Sequence, residues 1–123
     1  MKQISILGST GSIGKNALKV VESMSNRFKI VGLAANSSVD LIEKQTRKFL
    51  PKKVALAEAE SARKLEIRMK DLDVEVLSGQ EGILQIATMS EVEMVLPAII
   101  GSAGMVPTLE AIKTEKDIAF VNK

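Results

Sequence analysis

Short β-branched runs alternate along the chain with longer segments whose apolar residues recur at helical spacing. Gln3 to Leu7 reads as a buried strand, and Ser12 to Ser25 as a helix with Ile13, Ala17, Val20, Val21 and Met24 along one side. Lys29 to Ala34 is a second strand. Val39 to Leu50 is a second helix, preceded by the capping candidates Ser37 and Ser38 and ended by Pro51. Lys53 to Ala57 is a third strand, followed by a charged helix from Ala59 to Lys70 with Ala62, Leu65 and Met69 as its apolar positions. Asp73 to Leu77 is a fourth strand. Ser78-Gly79-Gln80-Glu81 has the capping-box pattern and opens a short helix to about Ala87. Val92 to Leu96 and Asp117 to Val121 are the last strands, with a helix from about Pro107 to Thr114 between them.

Near-continuously apolar strands separated by helices are the pattern of a parallel sheet covered on both faces. The fold class expected is therefore α/β, with a doubly wound, mostly parallel sheet of the Rossmann-like kind. The chain has 123 residues, the size of one domain, and no repeat or linker interrupts the alternation. It stops directly after a strand, with no covering helix, as a truncated domain would. An uncovered edge strand over residues 117–121 invites pairing, unless further chain covers it.

Composition narrows the chemistry. Hydrophobic residues make up 46% and charged residues 26%, so the chain is neither disordered nor collagen-like. Seventeen basic residues face fifteen acidic ones, a net charge of +2, which argues against a nucleic-acid partner. The basic group Lys44, Arg47, Lys48, Lys52 and Lys53 reads as a solvated face, and Glu91 and Glu93 as surface carboxylates. The methionines Met24, Met69, Met89, Met94 and Met105 read as core or gap-filling residues. There is no cysteine and no histidine, which removes disulfides, thiolate metal sites, cysteine nucleophiles and the commonest general base. No signal-peptide core or membrane span is visible, so a cytoplasmic protein without a membrane partner is expected.

The most informative segment is Gly8-Ser9-Thr10-Gly11-Ser12-Ile13-Gly14, between the first strand and the first helix. Its three glycines at a spacing of three are a variant of the dinucleotide fingerprint. In that reading Gly8 makes the tight turn, Gly11 lets backbone approach a pyrophosphate, and Gly14 lets helix and sheet pack closely. The amides of Thr10 to Ile13 would meet the phosphates at the positive end of the helix. An ordinary glycine-rich turn without ligand is the competing explanation. At the end of the second strand, Ala34-Ala35-Asn36-Ser37-Ser38 contains no acid to accept from a ribose 2′-hydroxyl, which permits a 2′-phosphate and favours NADP. Ser37 and Ser38 could equally be plain helix caps.

Two further segments belong to the carboxyl edge of such a sheet. The loop after the fifth strand, Ile99 to Thr108, is rich in small residues; taken alone it reads as an ordinary strand-to-helix connection, although Ile99 or Ile100 could pack on a flat ring. The chain is expected to cross there to the other side of the first strand. Asn122 and Lys123 follow the last strand, where Lys123 could bind an anionic substrate or be a solvated strand end.

Taken together, the glycine loop, the Gly101-Ser102-Ala103-Gly104-Met105-Val106-Pro107-Thr108 segment and the terminal Phe120-Val121-Asn122-Lys123 closely resemble the 1-deoxy-D-xylulose 5-phosphate reductoisomerases. The resemblance covers the whole chain. It implies an N-terminal NADPH-binding part in which Thr10, Gly11, Ser12 and Ile13 hold the pyrophosphate, Asn122 contacts the cofactor and Lys123 the phosphorylated sugar substrate. Asn36 and Ser37 stand where many members carry a Gly-Lys/Arg-Asn-like segment at the 2′-phosphate, and this chain departs from that pattern. The resemblance further implies Mg²⁺ or Mn²⁺ ligands, a lid and a C-terminal helical domain beyond the position of Lys123, and a homodimer of the full-length enzyme. The segment alone would then bind cofactor without turning over. Another NADP-linked reductase, such as a semialdehyde dehydrogenase, and a non-enzymatic nucleotide-sensing domain are the alternatives.

Overall fold

The structure, a computed structural model, describes residues 1–99 and 104–119. The elements follow in order: β1 (Lys2–Leu7), α1 (Ser12–Ser23), β2 (Phe28–Ala35), α2 (Val39–Phe49), β3 (Lys53–Leu56), α3 (Ala59–Arg68), β4 (Glu75–Ser78), α4 (Gly79–Thr88), β5 (Met94–Pro97), α5 (Met105–Lys113) and β6 (Asp117–Ile118). The six strands form one sheet in the order β4-β3-β2-β1-β5-β6, with every pairing parallel. The α/β doubly wound sheet expected from the alternation is therefore present.

Side-chain alternation along the strands sorts the core into two layers. Ile4, Ile6, Ile30, Leu33, Val54 and Leu56 face α1, α2 and α3, where they meet Ala17, Leu18, Val21, Ile42, Ala62 and Leu65. Leu7, Val31, Ala34, Ala55 and Val95 face the other way, onto Ile83, Ile86 and Ala87 of α4 and Ala111 of α5. A register shift between Ile4 and Ser5 interrupts the β1–β2 ladder. Nearby the buried Ser5 hydroxyl donates to the Ile86 carbonyl at 2.8 Å, pinning the central strand to α4.

Four details differ from the expectations. Val20 of α1 is 56% exposed, and the buried face runs instead through Gly14, Ala17, Leu18 and Val21. The reason is the contact of Gly14 with the glycine loop, which rotates that stripe toward the sheet. Met69 and Met89 are buried, but Met105 is 61% exposed. Ser78 does stand at the N-cap of α4, yet its hydroxyl makes no capping bond, so the capping box is not formed. The crossing to the far side of β1 is made by α4 before β5, because β5 itself lies directly against β1.

The basic group is solvated but largely paired. Lys48 meets Glu22 at 2.6 Å, Lys52 meets Glu91 at 2.9 Å and Lys53 meets Glu75 at 3.6 Å. Arg47 grips both carboxylate oxygens of Asp71 at 2.8 and 3.1 Å and donates to the Arg68 carbonyl, tying α2 to the end of α3. Glu93 accepts from the Gln3 amide at 2.9 Å. No helix among the described residues is long and apolar enough to cross a membrane.

Candidate functional site

β1 ends at Leu7, and Gly8 turns the chain with φ +87°, a conformation that favours glycine. The turn is strapped to both neighbouring strands. The amides of Gly8 and Ser9 donate to the Ala34 carbonyl at 2.7 and 3.0 Å, and the Ala98 amide donates to the Leu7 carbonyl at 2.7 Å. A Cβ on Gly8 would sit 2.8 Å from the Ala98 oxygen, and one on Gly14 only 2.1 Å from the Gly8 oxygen. Both glycines are thus required by packing.

Gly11 is different. The nearest protein atom to a Cβ there would be the Gly8 oxygen at 3.7 Å, an ordinary contact. The protein itself has room for a side chain at this point, so a glycine keeps the backbone accessible to something outside it. Gly11 is also the N-cap of α1, with no side-chain cap. The first helical bond runs from the Lys15 amide to the Gly11 carbonyl at 2.8 Å. Helix geometry then leaves the amides of Ser12, Ile13 and Gly14 without acceptors. No acid occupies the first turn, so the positive end of α1 is not neutralised.

The loop forms one wall of a cleft of about 400 Å³ at the carboxyl edge of the sheet. Gly8, Thr10 and Gly11 meet Ala35 and Asn36 from the end of β2 and Ala57 from the end of β3. Gln80 and Ile83 of α4, with Ala98 and Ile99 after β5, complete it. None of these residues carries a charge. The cleft lies where the strand order reverses about β1, the place at which open α/β sheets take ligands. Its small apolar walls suit a flat ring, and the uncapped helix end suits an anion.

The site residues expected from sequence separate into groups. Thr10, Gly11 and Asn36 line the cleft. Ser12 is exposed at the first turn of α1, whereas the Ile13 side chain packs against the core, leaving only its amide for a ligand. Ser37 lines a shallower neighbouring pocket together with Ser38. Ser38 occupies the N-cap of α2 without a side-chain capping bond, so plain capping does not account for these hydroxyls. Ile99 lines the cleft. Ile100, Asn122 and Lys123 lie outside the described residues.

Three contributors were not anticipated. Gln80 and Ile83 reach the cleft because α4 crosses the sheet, a placement with no local signal. Gln45 of α2 is buried and donates its amide to the Ser9 carbonyl at 2.9 Å, which buttresses the glycine loop from behind. The Ser9 hydroxyl and the Gln45 Oε1 are buried without partners among the described residues. Among the described residues, no group of three or more His, Cys, Asp or Glu side chains is placed to hold a metal ion. The site as described therefore fits a dinucleotide and does not fit Mg²⁺ or Mn²⁺.

Known proteins share this fold. The family model for 1-deoxy-D-xylulose 5-phosphate reductoisomerase matches residues 4–123. The reductoisomerase of Caldanaerobacter subterraneus subsp. tengcongensis is 49% identical, and that of Thermodesulfovibrio yellowstonii 46% identical, each over all of this chain and 32% of its own length. The chain thus spans about a third of the curated relatives it matches. A crystal structure of DOX-P reductoisomerase in complex with NADPH, fosmidomycin and magnesium is 35% identical with a TM-score of 0.92, over 96% of this chain and 29% of that one. A match of this closeness, from the first strand of the sheet to the last residue, means that the chain belongs to the 1-deoxy-D-xylulose 5-phosphate reductoisomerase family.

Proposed function

We propose that this chain is the NADPH-binding part of a reductoisomerase. The full-length enzyme would convert 1-deoxy-D-xylulose 5-phosphate to 2-C-methyl-D-erythritol 4-phosphate in non-mevalonate isoprenoid biosynthesis. The observation that carries the reading is Gly11, a glycine that the protein's own packing does not require, at the uncapped start of α1. Thr10, Gly11, Ser12 and Ile13 hold the pyrophosphate, Ile13 through its main-chain amide and Thr10 and Ser12 with added hydroxyls. Asn36 and Ser37 receive the adenosine ribose and its 2′-phosphate at the end of β2. The crystal structure of a relative with NADPH supports this choice of cofactor.

NADPH, when bound, supplies the hydride that reduces the aldehyde formed by rearrangement of the sugar. This chain orients the cofactor and shields one side of it with Ala98 and Ile99. By the resemblance, Asn122 contacts the cofactor and Lys123 the phosphorylated substrate. The divalent metal, Mg²⁺ or Mn²⁺, and its acidic ligands belong to parts of the reductoisomerases that this chain does not span. Residues 1–123 are accordingly a cofactor domain, with catalytic and C-terminal helical domains elsewhere in a cytoplasmic, homodimeric enzyme.

Calorimetric titration with NADPH and NADH tests the proposal, repeated on Gly11→Asp. Preferential NADPH binding is expected, abolished by a carboxylate placed in the phosphate cradle. Undiminished NADPH binding by the variant would overturn the assignment of the loop. The isolated 123-residue chain should show no turnover with substrate and Mg²⁺, and measurable activity would refute its role as a cofactor domain alone.

A further inference from the structure

The segment Asn36-Ser37-Ser38 contains no cation, yet a 2′-phosphate at the end of β2 needs one for strong discrimination from a hydroxyl. The fold supplies candidates from elsewhere in the chain. Beside the main cleft, Ser37, Ser38 and Asp40 form a shallow pocket with Lys64 and Arg68, both from α3. Asn36 lines the main cleft and Ser37 this pocket, so the two cavities meet at consecutive residues of the chain.

The two cations are not equivalent. The Arg68 guanidinium is occupied: it bonds Asp40 at 2.5 Å and Glu43 at 3.3 Å, the two carboxylates nearest the start of α2. Lys64 is exposed and has no ion-pair partner among the described residues. Among the described residues the Ser37 and Ser38 hydroxyls likewise have no hydrogen-bond partner, and Ser38 gives α2 no side-chain cap. The pocket therefore combines an unused ammonium, two unused hydroxyls and an acid already neutralised by Arg68.

We propose that Lys64 of α3 is the residue that selects NADPH over NADH, binding the 2′-phosphate together with Ser37 and Ser38. Arg68 is a positioning residue that holds Asp40 against α3 and away from the incoming dianion. The inference rests on the NADPH reading above and adds a residue remote in sequence from the β2 loop. A point charge on a flexible stem suits this role, since the phosphate is met at the protein surface.

The test measures dissociation constants for NADPH and NADH by calorimetry on the full-length protein, for the natural sequence, Lys64→Gln and Lys64→Arg. Lys64→Gln should weaken NADPH about three- to fivefold, the range of an exposed ion pair, and leave NADH unchanged. Lys64→Arg should keep the preference. Because the readout is a ratio between two cofactors differing by one phosphate, a general loss of folding would not imitate it. An unchanged NADPH-to-NADH ratio in Lys64→Gln overturns the assignment of Lys64 while leaving the NADPH reading intact. Equal binding of both cofactors by the natural protein would instead overturn that reading, and this inference with it.

Discussion

Gly11 and Gly14 belong to one loop but answer to different demands. A methyl group on Gly14 would overlap the Gly8 carbonyl at 2.1 Å, and the atoms it meets are backbone that cannot swing aside. Gly14→Ala should therefore destabilise the fold by about 3 kcal/mol, the upper range for forcing atoms into a packed site, read as a lowered midpoint in urea. Gly11→Ala meets only an ordinary contact and should leave that midpoint within about 0.5 kcal/mol, as surface substitutions do. Equal destabilisation by the two would mean that Gly11 is structural as well. The motif spacing alone places all three glycines on the same footing; only the distances separate packing from access.

At the scale of elements, α2 acts on the site without entering it. Its Gln45 is buried and donates to the Ser9 carbonyl, so the loop between β1 and α1 is held from the side opposite the cleft. Gln45→Met keeps the volume and removes the donor. It should cost about 1 to 3 kcal/mol, the range for leaving a buried acceptor unpaired, and also raise the NADPH dissociation constant. A variant that unfolds more readily but binds NADPH as before would limit Gln45 to stability. The helices themselves are legible from local pattern: Ala62, Leu65 and Met69 were expected to face inward on α3, and all three are buried. Apolar periodicity fails for α1 at Val20, because a glycine contributes nothing to it yet sets the side of closest approach.

Across the whole molecule, ion pairs link elements far apart in sequence. Arg68 and Arg47, through their hydrogen bonds, hold the carboxyls of Asp40 and Asp71 below the ordinary range, and Lys52 lowers Glu91 to about 2. Carboxylates with lowered folded-state values bind protons more readily in the unfolded chain. For Glu91 that contribution is complete above the ordinary value of 4.5 and is lost as pH falls through about 2. Thermal melts between pH 6 and 2 should show the midpoint falling across that window. Glu91→Gln should flatten the fall, and an unaltered profile would show that the Lys52–Glu91 pair carries no part of it. These pairs are solvent-exposed, so added salt should weaken the effect.

The sequence by itself determined the α/β alternation, the two-layered core and the glycine loop at the start of α1. Each is written in local spacing: apolar runs for buried strands, helical period between them, and three glycines at intervals of three. The acid-free end of β2 was equally visible as a chemical absence. Local spacing reports that a residue is buried, but not against what. Tertiary structure alone decided that β5 lies beside β1, and that Gln80 and Ile83 wall the cleft. It also brought Gln45 behind Ser9 and Lys64 beside Ser37. Those neighbours are set by the way the helices cross the sheet, since packing joins surfaces whose residues are dozens of positions apart in the chain.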